Sequence, residues 1–143
     1  MIRKIQLKDK EQWEKLYRDY ANFYKVEMND KILQTVWKWL HDESHEMNGI
    51  VYEIDKNIFG FAHYRRMPSP LRGQDIGFLD DLFVDPKYRG QKIGKKILNK
   101  LKEISKSKGW NLLRWITRSD NLRAKSLYDK AAEKTTWDVY ELK

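Results

Sequence analysis

Apolar and polar residues alternate from Ile2 to Leu7, the period of a half-buried strand. The period then lengthens. Trp13, Leu16, Tyr17, Tyr20 and Tyr24 recur at helical spacing, with Asp9 in place as an N-cap. Asn29 or Asp30 can cap a second helix carrying Ile32, Leu33, Val36, Trp37 and Leu40. Asn48-Gly49 is a turn signal. Ile50 to Ile54 and Ile58 to Tyr64 then read as a hairpin joined at Asp55-Lys56-Asn57. Met67 to Gln74, with two prolines and a glycine, reads as a loop.

A strand from Ile76 to Val84 leads into a glycine-containing turn. The helix beyond it places Ile93, Ile97, Leu98, Leu101 and Ile104 on one stripe and Lys92, Lys95, Lys96, Lys100 and Lys102 on the other face, and Gly109 ends it. Leu112 to Thr117 is the next strand. Ser119-Asp120-Asn121 opens a helix with Ala124, Leu127, Tyr128 and Ala131 on one side, and Thr136 to Leu142 closes the chain as a strand. Antiparallel strands followed by a strand–helix–strand crossover make an α+β fold, a mixed and mainly antiparallel sheet flanked by helices. No linker or repeat divides residues 1–143, so a single domain is expected.

Composition supports a packed core: 41% of residues are hydrophobic and 13% aromatic, including six tryptophans. No apolar run approaches the roughly 18 residues of a membrane span, and the N-terminus has no apolar signal segment. The chain has no cysteine, which removes disulfides, thiolate metal sites and a cysteine nucleophile together. A cytoplasmic protein without a membrane partner is the expectation. With 29 Lys+Arg against 21 Asp+Glu, the net charge of +8 attracts polyanions, either nucleic acid or a phosphate-rich cofactor. His41 and His45 sit at i and i+4 but have no third ligand nearby in sequence, so no metal is expected.

The most informative stretch runs from Leu79 to Gly94, LDDLFVDPKYRGQKIG. Apolar strand residues flank the pair Asp80-Asp81, and Gly90 and Gly94 bracket a helix start. Glycines let backbone amides approach a bulky anion, and the positive end of the helix points the same way. The pattern suits a pyrophosphate, with carboxylates a few residues upstream.

This stretch resembles the GNAT superfamily of N-acetyltransferases. The family's cofactor signature, Arg/Gln-x-x-Gly-x-Gly/Ala, reads here Arg89-Gly90-Gln91-Lys92-Ile93-Gly94. Lys92 stands where the family usually has glycine, as in branches similar to the yeast histone and D-amino-acid acetyltransferases. A second family feature, an Asn followed seven residues later by a Tyr, is matched by Asn121 and Tyr128. The element order resembles the family over nearly the whole chain, although the glycine that many relatives carry between the last helix and strand is missing.

The resemblance implies acetyl-CoA as co-substrate and a primary amine as acceptor, on a small molecule or amino acid. A polyamine or a protein amine is the alternative acceptor. It places the pyrophosphate on amides from Gly90, Gln91, Lys92, Ile93, Gly94 and Lys95 with Arg89 alongside, and the pantetheine arm against the backbone of Leu82, Phe83 and Val84. It makes Tyr128 the acid for the departing thiolate and Asp80 the base for the amine, where polyamine and histone-type branches have Glu. Each residue also has a plainer reading. Tyr128 fits an apolar stripe, Asn121 can cap a helix as well as bind pantetheine, and Asp80 can bind substrate or pair with Arg65. On a strand Asp80 and Asp81 point opposite ways, so one of them faces the cleft. His63 and Arg65 share a face and could both point into the acceptor site, Arg65 holding a carboxylate. Tyr24, with Phe23, Trp37 and Trp39, could wall that site or belong to the core. A competing class is a non-catalytic basic module that binds nucleic acid. Family analogy also allows a homodimer.

Overall fold

The computed structural model describes residues 1–143. Strand β1 (Ile2–Lys4) is followed by a 3-10 turn at Leu7–Asp9 and two helices, α1 (Lys10–Tyr24) and α2 (Asp30–Leu40). Three long strands come next: β2 (Asn48–Ile54), β3 (Asn57–Ser69) and β4 (Gln74–Val84). Helix α3 (Ile93–Ser107), strand β5 (Leu113–Trp115) and helix α4 (Leu122–Ala131) complete the order. The five strands form one sheet in the order β1-β2-β3-β4-β5, antiparallel throughout except for the parallel pair β4–β5. This is the α+β architecture that the residue pattern implies.

Local chemistry explains most element ends. The Asn29 side chain accepts from the Ile32 amide to cap α2, and Asn121 accepts from the Ala124 amide to cap α4. Asp55 and Lys56 both adopt positive φ, the geometry of a tight hairpin turn whose twist matches its strands. Asp9 lies just before α1, as expected, but its side chain does not cap the helix. It is buried and takes a two-pronged ion pair from Arg3.

Two apolar layers sandwich the sheet. On one side Trp13, Leu16, Leu33 and Val36 of α1 and α2 pack on Val51, Phe61 and Phe83. On the other, Ile93, Ile97, Leu98 and Leu101 of α3 pack on Ile50, Ala62, Tyr64 and Leu79. Gly77 lies where β4 passes beneath Trp110; a Cβ there would meet the indole at 2.6 Å.

Three expectations are corrected. Strand β1 stops at Lys4, and Leu7 is exposed. Met67–Ser69 is not loop: β3 runs through it, pairing with Gln74–Ile76, and only residues 70–73 turn. Thr136 to Leu142 is not a strand of this sheet. Its alternation and β-branched residues suit one, but a strand exists only with a ladder partner, and this segment pairs with nothing.

Candidate active site

The site is built around an irregularity in β4. The β3–β4 ladder pairs His63 with Asp81 and then Tyr64 with Leu79, so Asp80 is an extra, unopposed residue. The bulge changes where the carboxylates point. Asp81 is bound by His63, and Asp80 by Arg65, two residues along the same face of β3. Strict alternation, which would send one carboxylate to each face, does not hold here.

One residue before the bulge, at Leu79 opposite Trp115, β4 makes its last pair with β5. It stays paired with β3 as far as Val84, opposite Gly60. From Asp80 to Val84 the edge of β4 that faces β5 is therefore free, about 17 Å of strand at ~3.3 Å per residue. The two strands diverge into a wedge.

A cleft of about 800 Å³ occupies this wedge. Leu82, Phe83 and Val84 form one wall, and Asn121, Leu127 and Tyr128 of α4 form the other. Phe23 and Tyr24 lie at the end of α1, and Arg89, Gly90 and Lys92 to Lys95 form the floor. Gly90 has φ +89° and Lys92 φ +60°, so the turn coils left-handed into α3. The amides from Gly90 through Lys95 donate to no group in the protein. Six successive free donors at a helix N-terminus make an anion cradle.

The charges agree with that cradle. Arg89, Lys92, Lys95, Arg123 and Lys130 line the cleft, and none has an acidic partner. The Arg89 guanidinium lies over the rings of Phe23 and Phe83, at 5.3 and 5.8 Å. Burial and the nearby Arg123 hold its pKa below the usual arginine value. Arg89 is partly buried and the other four are exposed, and an unpaired cation cluster of this kind suits a polyanionic ligand. The cleft's size, free strand edge, amides and charge fit acetyl-CoA.

Tyr128 faces the cleft from α4, edge-on to Trp115 with ring centroids 5.3 Å apart. Burial, and secondarily Tyr24, push its phenol up to about 12. It therefore keeps its proton at neutral and mildly alkaline pH. Asn121 is already committed: its Oδ1 caps α4 and its Nδ2 donates to the Tyr24 hydroxyl at 3.0 Å, tying α1 to α4 across the cleft mouth. Gln91 contributes its amide to the cradle, but its exposed side chain does not line the cleft.

Across β4, on the α1 side, lie the two aspartates. Burial raises the Asp80 carboxyl above its ordinary value, with the 3.0 Å hydrogen bond from Arg65 Nε opposing it. Burial pushes Asp81 up as well, but hydrogen bonds from His63 Nδ1 at 2.8 Å and the Tyr17 hydroxyl at 2.9 Å outweigh it, with Tyr20 adding to them, and leave its carboxyl low. Adjacent carboxyls are thus driven apart, Asp81 toward a fixed anion and Asp80 toward a group that can hold a proton.

His63 does not point into an open acceptor site. It is 1% exposed and sealed between Trp13, Tyr17 and Phe61. Its Nε2 accepts the Trp13 indole N–H at 2.9 Å, and an indole can only donate, so the ring proton sits on Nδ1 toward Asp81. Arg65 is half-exposed over the Phe78 ring, and its two terminal nitrogens have no protein partner. Trp13, Tyr17 and Asp81 escape a reading of the sequence as site residues. The spacing of Trp13 and Tyr17 marks a buried helix face, but nothing local shows that a histidine 50 residues on would meet it.

Comparison with known proteins agrees with this geometry. Residues 12–132 match the family model described as the Acetyltransferase (GNAT) family. The chain is 27% identical over 143 residues to a D-amino-acid N-acetyltransferase of Saccharomyces cerevisiae, covering 99% of this chain and 89% of the relative. It is 39% identical over 71 residues to a thialysine N-epsilon-acetyltransferase of Bos taurus, covering 50% of this chain and 41% of that protein. Among solved structures, a ribosomal-protein-alanine N-acetyltransferase from Brucella melitensis superposes with a TM-score of 0.84 at 21% identity, covering 100% of this chain and 97% of the other.

Proposed function

The chain belongs to the GNAT acetyltransferase family, and on that premise we propose that it moves an acetyl group from acetyl-CoA to the primary amine of a small molecule or amino acid, by direct attack in a ternary complex. The observation that carries this reading is the wedge, where the freed edge of β4 and six free amides lie in one cationic cleft.

Acetyl-CoA supplies an activated thioester and needs no enzyme-bound intermediate, and the chain has no cysteine to form one. The residues at hand match the remaining tasks. The amides of Gly90 to Lys95 and the Arg89, Lys92 and Lys95 side chains hold the pyrophosphate. The backbone of Leu82, Phe83 and Val84 pairs with the pantetheine arm, and a freed amide there donates to the developing oxyanion. Asp80 stands where the wedge opens and takes the ammonium proton, through water because the aspartate side chain is short. Tyr128 gives its proton to the departing thiolate. His63 is assigned here to holding Asp81 in place rather than to binding the acceptor.

The acceptor reading rests on Arg65. A guanidinium fixed by Nε and stacked on Phe78, with two terminal nitrogens unused, is ready for a carboxylate. Beside Asp80 it suits an acceptor with both amine and carboxylate, an amino acid, and the yeast relative acts on D-amino acids by its name. The test is CoA release from acetyl-CoA across amino acids of both hands, polyamines, aminoglycosides and a lysine-rich peptide at mildly alkaline pH. Turnover with amino acids, and its loss in Arg65→Ala, supports the proposal. Turnover restricted to polyamines or peptide reassigns the acceptor. No turnover and no thermal stabilisation by acetyl-CoA sinks the catalytic reading and returns a basic nucleic-acid-binding module to first place.

A further inference from the structure

Phe78 belongs to neither apolar layer of the sheet, although it lies near the middle of β4. Its pairing explains why. Leu79 pairs with Trp115 and Gly77 with Leu113, and Leu79, Leu113 and Trp115 all belong to the layer under α3. Side chains alternate along a strand, so the intervening pair, Phe78 and Arg114, faces the other way, toward the side of α1 and α2. Phe78 is also opposite Arg65 of β3, whose guanidinium lies over its ring. Arg65, Phe78 and Arg114 thus form one row across three strands. All three are half-buried, on a stretch of the sheet face that α1 and α2 leave open.

The row carries more positive charge than its surroundings use. Arg65 spends Nε on Asp80 and sits 4.7 Å from the Phe78 ring centroid, which brings its guanidinium onto the middle strand. Arg114 makes no ion pair. Neighbouring strands lie ~4.8 Å apart, so the two arginine backbones stand about 10 Å from each other with the ring between them. The row also adjoins the chemistry. Asp80, bonded to Arg65, marks the point where β4 and β5 part and the wedge begins.

We propose that this row binds the acceptor through two carboxylates, so that the preferred acceptor is an amino acid of the aspartate or glutamate type. The inference rests on the reading of the chain as an amino-acid acetyltransferase and adds Arg114 to its site. A guanidinium fork takes one carboxylate in a bidentate pair, and the row offers two forks. The α-carboxylate meets the free nitrogens of Arg65, which keeps the amine beside Asp80 at the wedge. The side chain lies along Phe78, and its carboxylate reaches Arg114. Arg114 is then the residue that sets specificity. A neutral side chain leaves its charge unanswered, and a basic one, like a polyamine, is repelled by it.

The test compares kcat/KM for glutamate with glutamine, and for aspartate with asparagine, in both hands. The diacids should lead by about 10–100-fold, mainly through KM. Arg114→Ala should collapse that ratio toward one, and Arg114→Glu should turn the preference toward lysine. Thermal stabilisation by acetyl-CoA in each variant checks that the fold is intact. A second arm needs no turnover. With CoA bound, N-acetylglutamate should raise the thermal midpoint more than N-acetylglutamine, and Arg114→Ala should erase the difference. Neutral amino acids turned over as well as the diacids, or a ratio unchanged in Arg114→Ala, would overturn this inference and leave the amino-acid acceptor standing. Turnover of polyamines or peptide alone, with equal stabilisation by the two products, would overturn both.

Discussion

The indole N–H of Trp13 donates to Nε2 of His63 at 2.9 Å, between two side chains that are 0% and 1% exposed. That one bond joins α1 to the middle of the sheet and sets which His63 nitrogen meets Asp81. Trp13→Phe would leave Nε2 an unpaired buried acceptor and open a small cavity, a loss of about 2–4 kcal/mol. Urea unfolding should show a lower midpoint with an unchanged slope. A midpoint within error of the parent would mean that the bond contributes nothing.

The Tyr128 phenol, pushed up to about 12 by burial, stays protonated throughout the working range. With Tyr128 proposed as the acid for the thiolate, its loss in Tyr128→Phe should lower kcat by about 10²-fold or more. Thermal stabilisation by acetyl-CoA should persist, because the ring remains. Stabilisation lost together with kcat would instead make Tyr128 a binding residue.

Asp80 and pH follow from the direction of its shift. The folded carboxyl holds its proton to a higher pH than a free aspartate does. The base proposed at Asp80 must be deprotonated, so kcat/KM should fall on the acid side as pH drops through this raised value. Asp80→Asn should remove that limb and lower the plateau by about 10²-fold. A limb that persists in Asp80→Asn belongs to another group.

Acid stability should depend on Asp81 and Asp9. Burial works against both anions, but His63, Tyr17 and Tyr20 for Asp81, and Arg3 with the Gln6 amide for Asp9, hold each below the ordinary value of 3.8. A lowered folded pKa contributes stability above the unfolded value, and that stability is lost as pH falls through the folded one. Thermal midpoints should therefore hold steady above about pH 5 and drop progressively below about pH 4. Asp81→Asn should start lower at pH 7 and lose less on acidification. Parallel curves for parent and variant would exclude Asp81 as a source of the acid limb.

Much of the molecule is legible along the chain because its causes are local. The stripe of Ile93, Ile97, Leu98 and Leu101, the Asn29 and Asn121 caps, the Asp55-Lys56 turn and the Gly90 turn each depend on residues a few positions apart. The chemistry of neighbours is enough to place them. The anion cradle is readable for the same reason, since glycine and a helix start make it without help from elsewhere.

Other features were decided only by the tertiary structure, because their partners lie far off in sequence. The bulge that turns Asp80 and Asp81 to one face exists in the pairing of β4 with β3, not in either strand alone. His63 reads as an open polar residue until Trp13 and Asp81, 50 and 18 positions away, close on both its nitrogens. Thr136 to Leu142 has every local mark of a strand and is not one here, because a strand is completed by a neighbour's hydrogen bonds and this chain offers it none. Local sequence determines what a segment can become; long-range pairing decides which groups meet.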